Sequence, residues 1–274
     1  RKVRDEWKPL WGKRAVVEDH FNELVIDLVN PAGQPERMQL VVRGYNDGFA
    51  FCYKIPDGKG PCVNVQSELT AYNFAGDYTA WFYNGENHNI GPEKLTETDG
   101  TRLPVMTVKA GDKHYMAIHE ACLETGAPLV LQSKGGESLF SVASKPTSLS
   151  PGYTSAWRVV LYGTTPGVLT DSHLLELLNP DPDSRYDFSW VKPGLAVWDW
   201  RINGAVWDGF TYGMSYPSWV RMVDFAAEQG FKYLVLDANW YGPEFESDSD
   251  PVKGEKAQDV QRLLKYGKEK GVGI

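Results

Sequence analysis

The chain has 274 residues, of which 42% are hydrophobic, with a net charge of −8 and a pI near 5.2. This length suffices for two domains, each with its own hydrophobic core. The acidic balance, without a run of Lys or Arg, argues against nucleic acid as a partner. Because no stretch of about 18 apolar residues is present, we also expect no membrane partner.

Aromatic residues are numerous, with ten Trp and fourteen Tyr. Flat rings with a polar edge stack on sugars, although β-sandwich cores use the same residues. The three cysteines, Cys52, Cys62 and Cys122, lack a CxxC spacing and indicate structural thiols, with a Cys52–Cys62 disulfide as the alternative in an exported protein.

Short strands are predicted from residue 1 to about residue 180. The segments are rich in β-branched or aromatic residues, and turn dipeptides such as Asp57-Gly58 separate them. No helical period lies between them, which favours an all-β antiparallel sandwich. The predicted strands are Leu24–Val29, Met38–Arg43, Ala50–Ile55, Thr79–Tyr83, Tyr115–Ile118 and Trp157–Leu161.

Two prolines among turn-forming residues at 178–184 predict a domain boundary, with a β-sandwich over 1–182 and a second domain over 183–274. The pattern after this boundary is β-α-β-α-β. Its elements are a strand over Leu195–Trp200, a helix with Trp219, Met222, Val223 and Ala226 on one face, a strand over Tyr233–Asp237, a helix with Ala257, Val260, Leu263 and Leu264, and the start of a strand at Val272.

Two parallel strands and the start of a third cannot make a finished sheet, because parallel strands need cover on both faces. Long loops after the carboxyl ends of the strands favour a (β/α)₈ barrel. We therefore expect a multidomain chain that is truncated within its barrel, and a sandwich that lacks its first strands.

Candidate substrate-binding residues follow the two predicted parallel strands. Trp198 and Trp200 end the first strand together with Asp199, and Asp237 with Trp240 ends the second. Trp rings beside carboxylates suit a sugar, because the ring stacks on one face while the carboxylate accepts hydrogen bonds from hydroxyl groups. The alternative is that the carboxylates cap the loops and the Trp rings pack beneath them.

A polar loop follows the Trp81 strand and contains Glu86, His88 and Glu93. Carboxylate oxygens are suitable Ca²⁺ ligands, but two carboxylates cannot fill a shell of six to eight oxygens. From the residues alone, a solvated surface loop is the better interpretation.

Taken together, several short segments resemble glycoside hydrolase family 97, in the same order and over essentially the whole chain. They are Trp7–Gly12, His20–Leu24, Tyr45–Phe51, Ile118–Ala121, Trp157–Val160, Trp190–Gly194, Asp224–Gly230 and Leu236–Tyr241. The resemblance implies an exo-acting α-glycosidase that removes terminal α-linked glucose or galactose from an oligosaccharide.

The resemblance further implies a Ca²⁺ ion at the barrel mouth, with one glutamate donated by the sandwich. Glu93 matches this glutamate by position, and Glu86 is the second choice. It implies catalytic carboxylates beyond residue 274, so no residue here is assigned as catalytic and the fragment alone is expected to be inactive. It also implies export to the periplasm, although the sequence contains no signal for it.

Two alternatives stay open. One is a non-catalytic carbohydrate-binding sandwich with a vestigial barrel segment. The other is a different α-galactosidase-type barrel with its own accessory sandwich.

Overall fold

A computed structural model describes residues 1–29, 32, 35–83, 85, 89–124 and 127–274, without the side chains of 35–37. The chain divides into two compact units, Arg1–Arg185 and Tyr186–Ile274. The predicted domain boundary falls three residues before the division. Among the described residues, no helix has the length and apolar character that a membrane span requires.

Unit 1 is built mainly from antiparallel strands, which confirms the expected β-rich fold. Its strands are β1 Lys2–Trp7, β2 Val17–Val29, β3 Pro35–Tyr45, β4 Gly48–Lys54, β5 Val63–Val65, β6 Ala71–Asn73, β7 Thr79–Tyr83, β8 Ile90–Lys94, β9 Asp99–Lys109, β10 Tyr115–Ala121, β11 Leu131–Lys134, β12 Leu139–Val142, β13 Thr147–Leu149 and β14 Trp157–Gly163.

The main sheet has the strand order β1-β2-β3-β4-β14-β10-β9-β11-β12-β6, with β7 and β8 beside β9, while β5 and β13 pair separately. The long strand β9 joins two parts of this sheet. Its Met106–Lys109 end pairs with β10, and its Asp99–Arg102 end pairs with β11. Strand β9 therefore connects the β10 side and the β11 side of the sheet in one continuous order of hydrogen-bonded strands.

Both faces of the central pair β10 and β14 are buried. Ala117 and Val159 belong to one hydrophobic cluster, and Ile118 belongs to a second cluster with Phe82 and Phe140. Because neighbouring residues of a strand point to opposite faces, these two strands separate two cores. This explains why the segment at 157–161 reads as a nearly continuous apolar run.

Unit 1 also contains two short helices that the sequence pattern did not predict, α1 Pro166–Asp171 and α2 Leu174–Leu177. Each is too short to show a helical period. Leu174 and Leu178 are buried in the same cluster as Val159, so this segment covers one face of the central strands.

Cys52, Cys62 and Cys122 are free thiols, so the alternative Cys52–Cys62 disulfide is not formed. Burial raises the pKa of the Cys52 thiol to about 12.

Unit 2 has the expected β/α order. Its elements are β15 Ala196–Trp198, α3 Asp199–Ile202, β16 Val206–Trp207, β17 Phe210–Thr211, α4 Tyr216–Gln229, β18 Tyr233–Val235 and α5 Ala257–Lys270. Strands β15 and β18 are parallel, and a parallel bridge joins Tyr233 to Gly273. The three expected strand positions are therefore adjacent in one sheet.

The predicted helices are confirmed. Trp219, Met222, Val223 and Ala226 form the buried face of α4. This helix has Pro217 in its first turn and ends at Gly230, which has φ of 74°.

One of the four apolar residues named for the second helix does not lie on the buried face of α5. Leu264 is 48% exposed, whereas Gly267 is buried. A Cβ atom on Gly267 would lie 2.7 Å from the carbonyl oxygen of Val272, so glycine permits the returning chain to approach the helix.

The first parallel strand is shorter than predicted. It ends at Trp198, and Asp199 and Trp200 lie in the helical turn α3. Asp199, the first residue of this helical turn, is fully buried.

Candidate functional site

The carboxyl ends of β15 and β18 lie side by side, because Trp198 is in register with Val235. Among the predicted substrate-binding residues, Trp198 is the last residue of β15, and Trp200, Asp237 and Trp240 follow the two strand ends. Ligand sites of parallel β/α folds form at this edge, where the loops can be varied without disturbing the sheet.

Asp199 has an entirely structural hydrogen-bonding pattern. Its Oδ2 accepts a hydrogen bond from Nε1 of Trp219 at 2.8 Å, and its Oδ1 accepts one from the backbone N–H of Asp237 at 2.9 Å. The residue is completely buried. Its carboxylate therefore joins the end of β15 to α4 and to the start of the next loop, as the capping alternative predicted.

Asp237 differs from Asp199 because it is only partly buried. Its Oδ1 accepts a hydrogen bond from the backbone N–H of Ala238 at 2.7 Å. Within the described residues, Oδ2 accepts no hydrogen bond. One carboxylate oxygen is thus held in place and the other can accept hydrogen bonds from a ligand.

The loop after Asp237 has a defined shape. Asn239 has φ of 69°, and its Oδ1 accepts a hydrogen bond from the backbone N–H of Glu244 at 2.9 Å. Asn tolerates this left-handed conformation better than most residues. The turn places Trp240 against the core of unit 2, and its ring lies 5.5 Å from the Tyr241 ring at an interplanar angle of 89°.

The two tryptophans at the end of β15 are more exposed than Trp240. Trp198 is 38% exposed and Trp200 is 53% exposed. The guanidinium carbon of Arg201 lies 5.0 Å from the centre of the Trp198 ring, so the ring already has a cationic neighbour. Trp200 therefore offers the larger accessible ring surface.

Glu93 lies on β8, opposite Ala80. Its Oε1 accepts hydrogen bonds from Oγ1 of Thr98 at 2.8 Å and from Nη2 of Arg102 at 3.3 Å. In the described part of the chain, Oε2 has no hydrogen-bond donor. Glu93 is thus a half-buried carboxylate with one restrained oxygen and one that remains available.

A metal site is not complete among the described residues, which contain no group of three or more His, Cys, Asp or Glu side chains suited to a metal ion. Glu86 and His88 lie outside the described residues. Glu93 can supply a single oxygen, which is far short of the six to eight that Ca²⁺ requires.

The sequence interpretation missed a charged cluster in unit 1. Arg158 donates two hydrogen bonds to Glu68, at 3.0 and 2.7 Å, and one to Glu120 at 3.4 Å. The Arg158 side chain is only 5% exposed. An arginine within the apolar run of β14 was the available signal, because a buried cation needs anionic partners.

Comparisons with known proteins give consistent results for both units. A family model described as "Glycosyl-hydrolase 97 N-terminal" matches residues 1–180, and one described as "Glycoside hydrolase 97" matches residues 197–274. The alternative of a different α-galactosidase-type barrel with its own accessory sandwich is therefore wrong.

Two curated relatives match over 100% of this chain. A retaining α-galactosidase from Bacteroides thetaiotaomicron is 27% identical, with 46% of its own length covered. A probable retaining α-galactosidase from Streptomyces bingchenggensis is 29% identical, with 42% covered. The chain thus spans less than half the length of these relatives.

A solved structure of a family 97 enzyme in complex with panose, from Pseudoalteromonas sp. strain K8, has a TM-score of 0.79 and 25% identity, with 100% of this chain and 44% of that chain covered. Since the two family models together match most of the sequence, the chain belongs to glycoside hydrolase family 97.

Proposed function

We propose that this chain is the N-terminal part of an exo-acting α-glycosidase, which hydrolyses terminal α-linked glucose or galactose. The observation that carries the proposal is the group of Asp237, Trp240 and Trp200 beyond the ends of two parallel strands in a family 97 chain. The similar proteins include retaining α-galactosidases and an enzyme bound to panose, an oligosaccharide.

In this proposal the residues of unit 2 bind the sugar and do not carry out the bond cleavage. Oδ2 of Asp237 accepts hydrogen bonds from sugar hydroxyls, while the hydrogen bond from Ala238 fixes the carboxylate orientation. The accessible parts of the Trp240 and Trp200 rings contact the apolar face of the sugar. Asp199 positions the group, since it holds the backbone of Asp237.

Glycoside hydrolysis requires two carboxyl groups on either side of the scissile bond. Asp199 cannot act as one of them, because it is buried and both of its oxygens accept hydrogen bonds. We therefore assign the acid, and the base or nucleophile, to the part of the relatives that this chain does not span. The chain alone is expected to be inactive.

We also propose Ca²⁺ dependence, with Glu93 as the one ligand from unit 1. The free Oε2 fits this role, and the Arg102 ion pair would fix the carboxylate when a cation is near. When bound, Ca²⁺ would act as a Lewis acid or orient the substrate. All other ligands would have to come from outside the described residues.

The direct test uses a longer form of the protein that spans the whole length of the relatives. Hydrolysis of p-nitrophenyl α-glucoside and α-galactoside should be measured with and without chelator. We expect hydrolysis of one of the two substrates, and we expect the chelator to suppress it and added Ca²⁺ to restore it. Activity that is indifferent to chelator contradicts the metal assignment, and a lack of any α-glycosidase activity contradicts the proposed function.

The alternative of a non-catalytic carbohydrate-binding protein predicts a different result from the same experiment. In that case the longer protein binds the glycosides without releasing p-nitrophenol.

A further inference from the structure

Unit 1 contains a cavity of about 950 Å³. It is lined by β13, by the segments on either side of that strand, and by Tyr53 and Arg158. Sites for small molecules have volumes of roughly 300 to 1,000 Å³. The cavity is therefore large enough for a mono- or disaccharide.

Charged groups at the cavity favour a neutral ligand. Arg158 and Glu68 line the cavity as a two-fold hydrogen-bonded pair, and Glu120 is the second anionic partner of Arg158. Lys145 lines the cavity and is exposed. The charges of these two cations and two anions sum to zero. The cavity therefore exerts no net electrostatic attraction on a charged ligand of either sign.

The Arg158 guanidinium keeps hydrogen-bonding capacity for a ligand. It has five N–H donors, and three of its hydrogen bonds go to Glu68 and Glu120. Each oxygen of Glu68 accepts one of these hydrogen bonds and has a second acceptor position. A rigid pair with open donors and acceptors suits a hydroxyl group, which both donates and accepts.

Tyr153 supplies a further polar group. It lines the cavity, and its hydroxyl makes no hydrogen bond within the part of the chain that the structure describes. Burial raises the pKa of this hydroxyl, and the nearby Glu68 carboxylate adds to the rise while the Arg158 guanidinium opposes it. The phenol therefore stays protonated near neutral pH and can donate a hydrogen bond.

Apolar side chains complete the lining, among them Leu69, Val130 and Leu149. A sugar ring combines hydroxyl groups at its edge with apolar C–H faces, so it matches a cavity in which a few polar groups stand among apolar ones. We propose that this cavity binds a neutral polyhydroxylated ligand, a mono- or disaccharide, through Tyr153, Arg158 and Glu68. The ligand class follows from the lining alone and does not depend on the proposed hydrolysis.

Binding can be tested on the 274-residue chain itself. Calorimetry or ligand-observed NMR should be carried out with methyl α-D-galactopyranoside, methyl α-D-glucopyranoside and maltose. We expect saturable binding of at least one of them, and weaker binding of galacturonic acid and glucosamine. The absence of binding by all three neutral sugars up to on the order of 100 mM overturns the proposal, as does equal binding of the charged sugars.

Variants locate the binding. Tyr153→Phe should weaken it roughly tenfold, which corresponds to the loss of one hydrogen bond. Tyr162→Phe is the matched control, because the Tyr162 hydroxyl forms a hydrogen bond with His114 and does not line the cavity. This variant should bind the sugars as tightly as the unchanged chain. Ser148→Trp fills the cavity from an exposed position and should abolish binding.

A further comparison separates the cavity from the tryptophans of unit 2. The double variant Asp237→Asn, Trp240→Ala removes the sugar-binding residues proposed in unit 2, and the binding that depends on Tyr153 should remain in it. If this double variant loses all binding while Tyr153→Phe and Ser148→Trp retain it, the cavity is not the binding site. These experiments measure only sugar binding to the 274-residue chain. A failure of this proposal can therefore be distinguished from a lack of hydrolysis by the longer protein.

Discussion

The carboxylate of Asp199 accepts a hydrogen bond from the indole N–H of Trp219 at 2.8 Å, in the interior of unit 2. The same carboxylate holds the backbone N–H of Asp237. One buried side chain thus connects the packing of α4 with the position of a proposed sugar ligand.

Asp199→Ala should destabilise unit 2. The substitution leaves the Trp219 and Asp237 donors without a partner, at a cost of roughly 2 to 4 kcal/mol. Hydrogen exchange of the α4 amides should show this loss directly. Glu269→Ala, an exposed change on α5, is the control and should alter exchange little. Unchanged protection in Asp199→Ala contradicts the role given to this carboxylate.

Asp224 should titrate below the ordinary range of an aspartate. The hydrogen bond from Lys270 at 2.8 Å, with that from Tyr266 at 2.6 Å, lowers its pKa. A lowered folded-state pKa adds stability above the unfolded value of about 3.9, and this is lost as the pH falls through the folded pKa. The contribution is small because the Asp224 side chain is 45% exposed and solvent screens its ion pair.

Carboxyl NMR titration measures this pKa. Lys270→Met should raise the Asp224 pKa, whereas the neighbouring Lys268→Met should leave it in place. A pKa that does not respond to the loss of Lys270 would show that the ion pair is absent in solution.

Gly267→Ala distinguishes steric contact from helix propensity. Propensity alone predicts a gain of up to about 1 kcal/mol for Ala in a helix interior. The close approach of the Val272 carbonyl, at 2.7 Å from the new Cβ, predicts a loss of about 1 to 3 kcal/mol instead. Urea denaturation followed by a probe in α5 shows whether the free energy of unfolding rises or falls in Gly267→Ala. Stabilisation would mean that the chain after Gly271 does not pack as described.

Arg158→Met should destabilise unit 1 by about 3 to 5 kcal/mol, because it leaves Glu68 and Glu120 buried without their cation. Replacing Glu68 by Gln in the same chain should recover part of this loss. Thermal denaturation gives the comparison, with Arg14→Met as a control. Arg14 belongs to an exposed ion pair with Asp171, so its loss should change stability by at most about 0.5 kcal/mol. Equal effects of the two substitutions would contradict the cluster.

Strands and helices with a strong local pattern were predicted well from the sequence. The strand at Trp157–Leu161 and the helix with Trp219 and Met222 are examples, because burial of one or both faces leaves a regular apolar pattern. The strand order was not predictable. β14 lies between β4 and β10, and such pairing depends on contacts between residues far apart in sequence.

The site was predicted only in part for the same reason. Asp237 and Trp240 were predicted at the end of the second parallel strand, whereas that strand ends at Val235 and both residues lie in the loop that follows it. The structural role of Asp199 depends on Trp219, 20 residues away, and the pairing of Arg158 with Glu68 spans 90 residues. Hydrogen-bond partners so far apart in the sequence cannot be predicted from a local residue pattern. The role of Glu93 in metal binding stays a prediction.

The central claim is that Asp237 and Trp240 bind the terminal sugar of an α-glycoside. The measurement that tests it most directly is kcat/KM of the longer protein for its better p-nitrophenyl glycoside, in Asp237→Asn, Trp240→Ala and the control Asp248→Asn, which changes an exposed carboxylate of the same loop. Removing a charged hydrogen bond to the substrate should lower kcat/KM about 10- to 100-fold in Asp237→Asn. Trp240→Ala should show a loss of similar size, and the control should retain full activity. Unchanged kcat/KM in both variants, in protein that remains folded, would contradict the account.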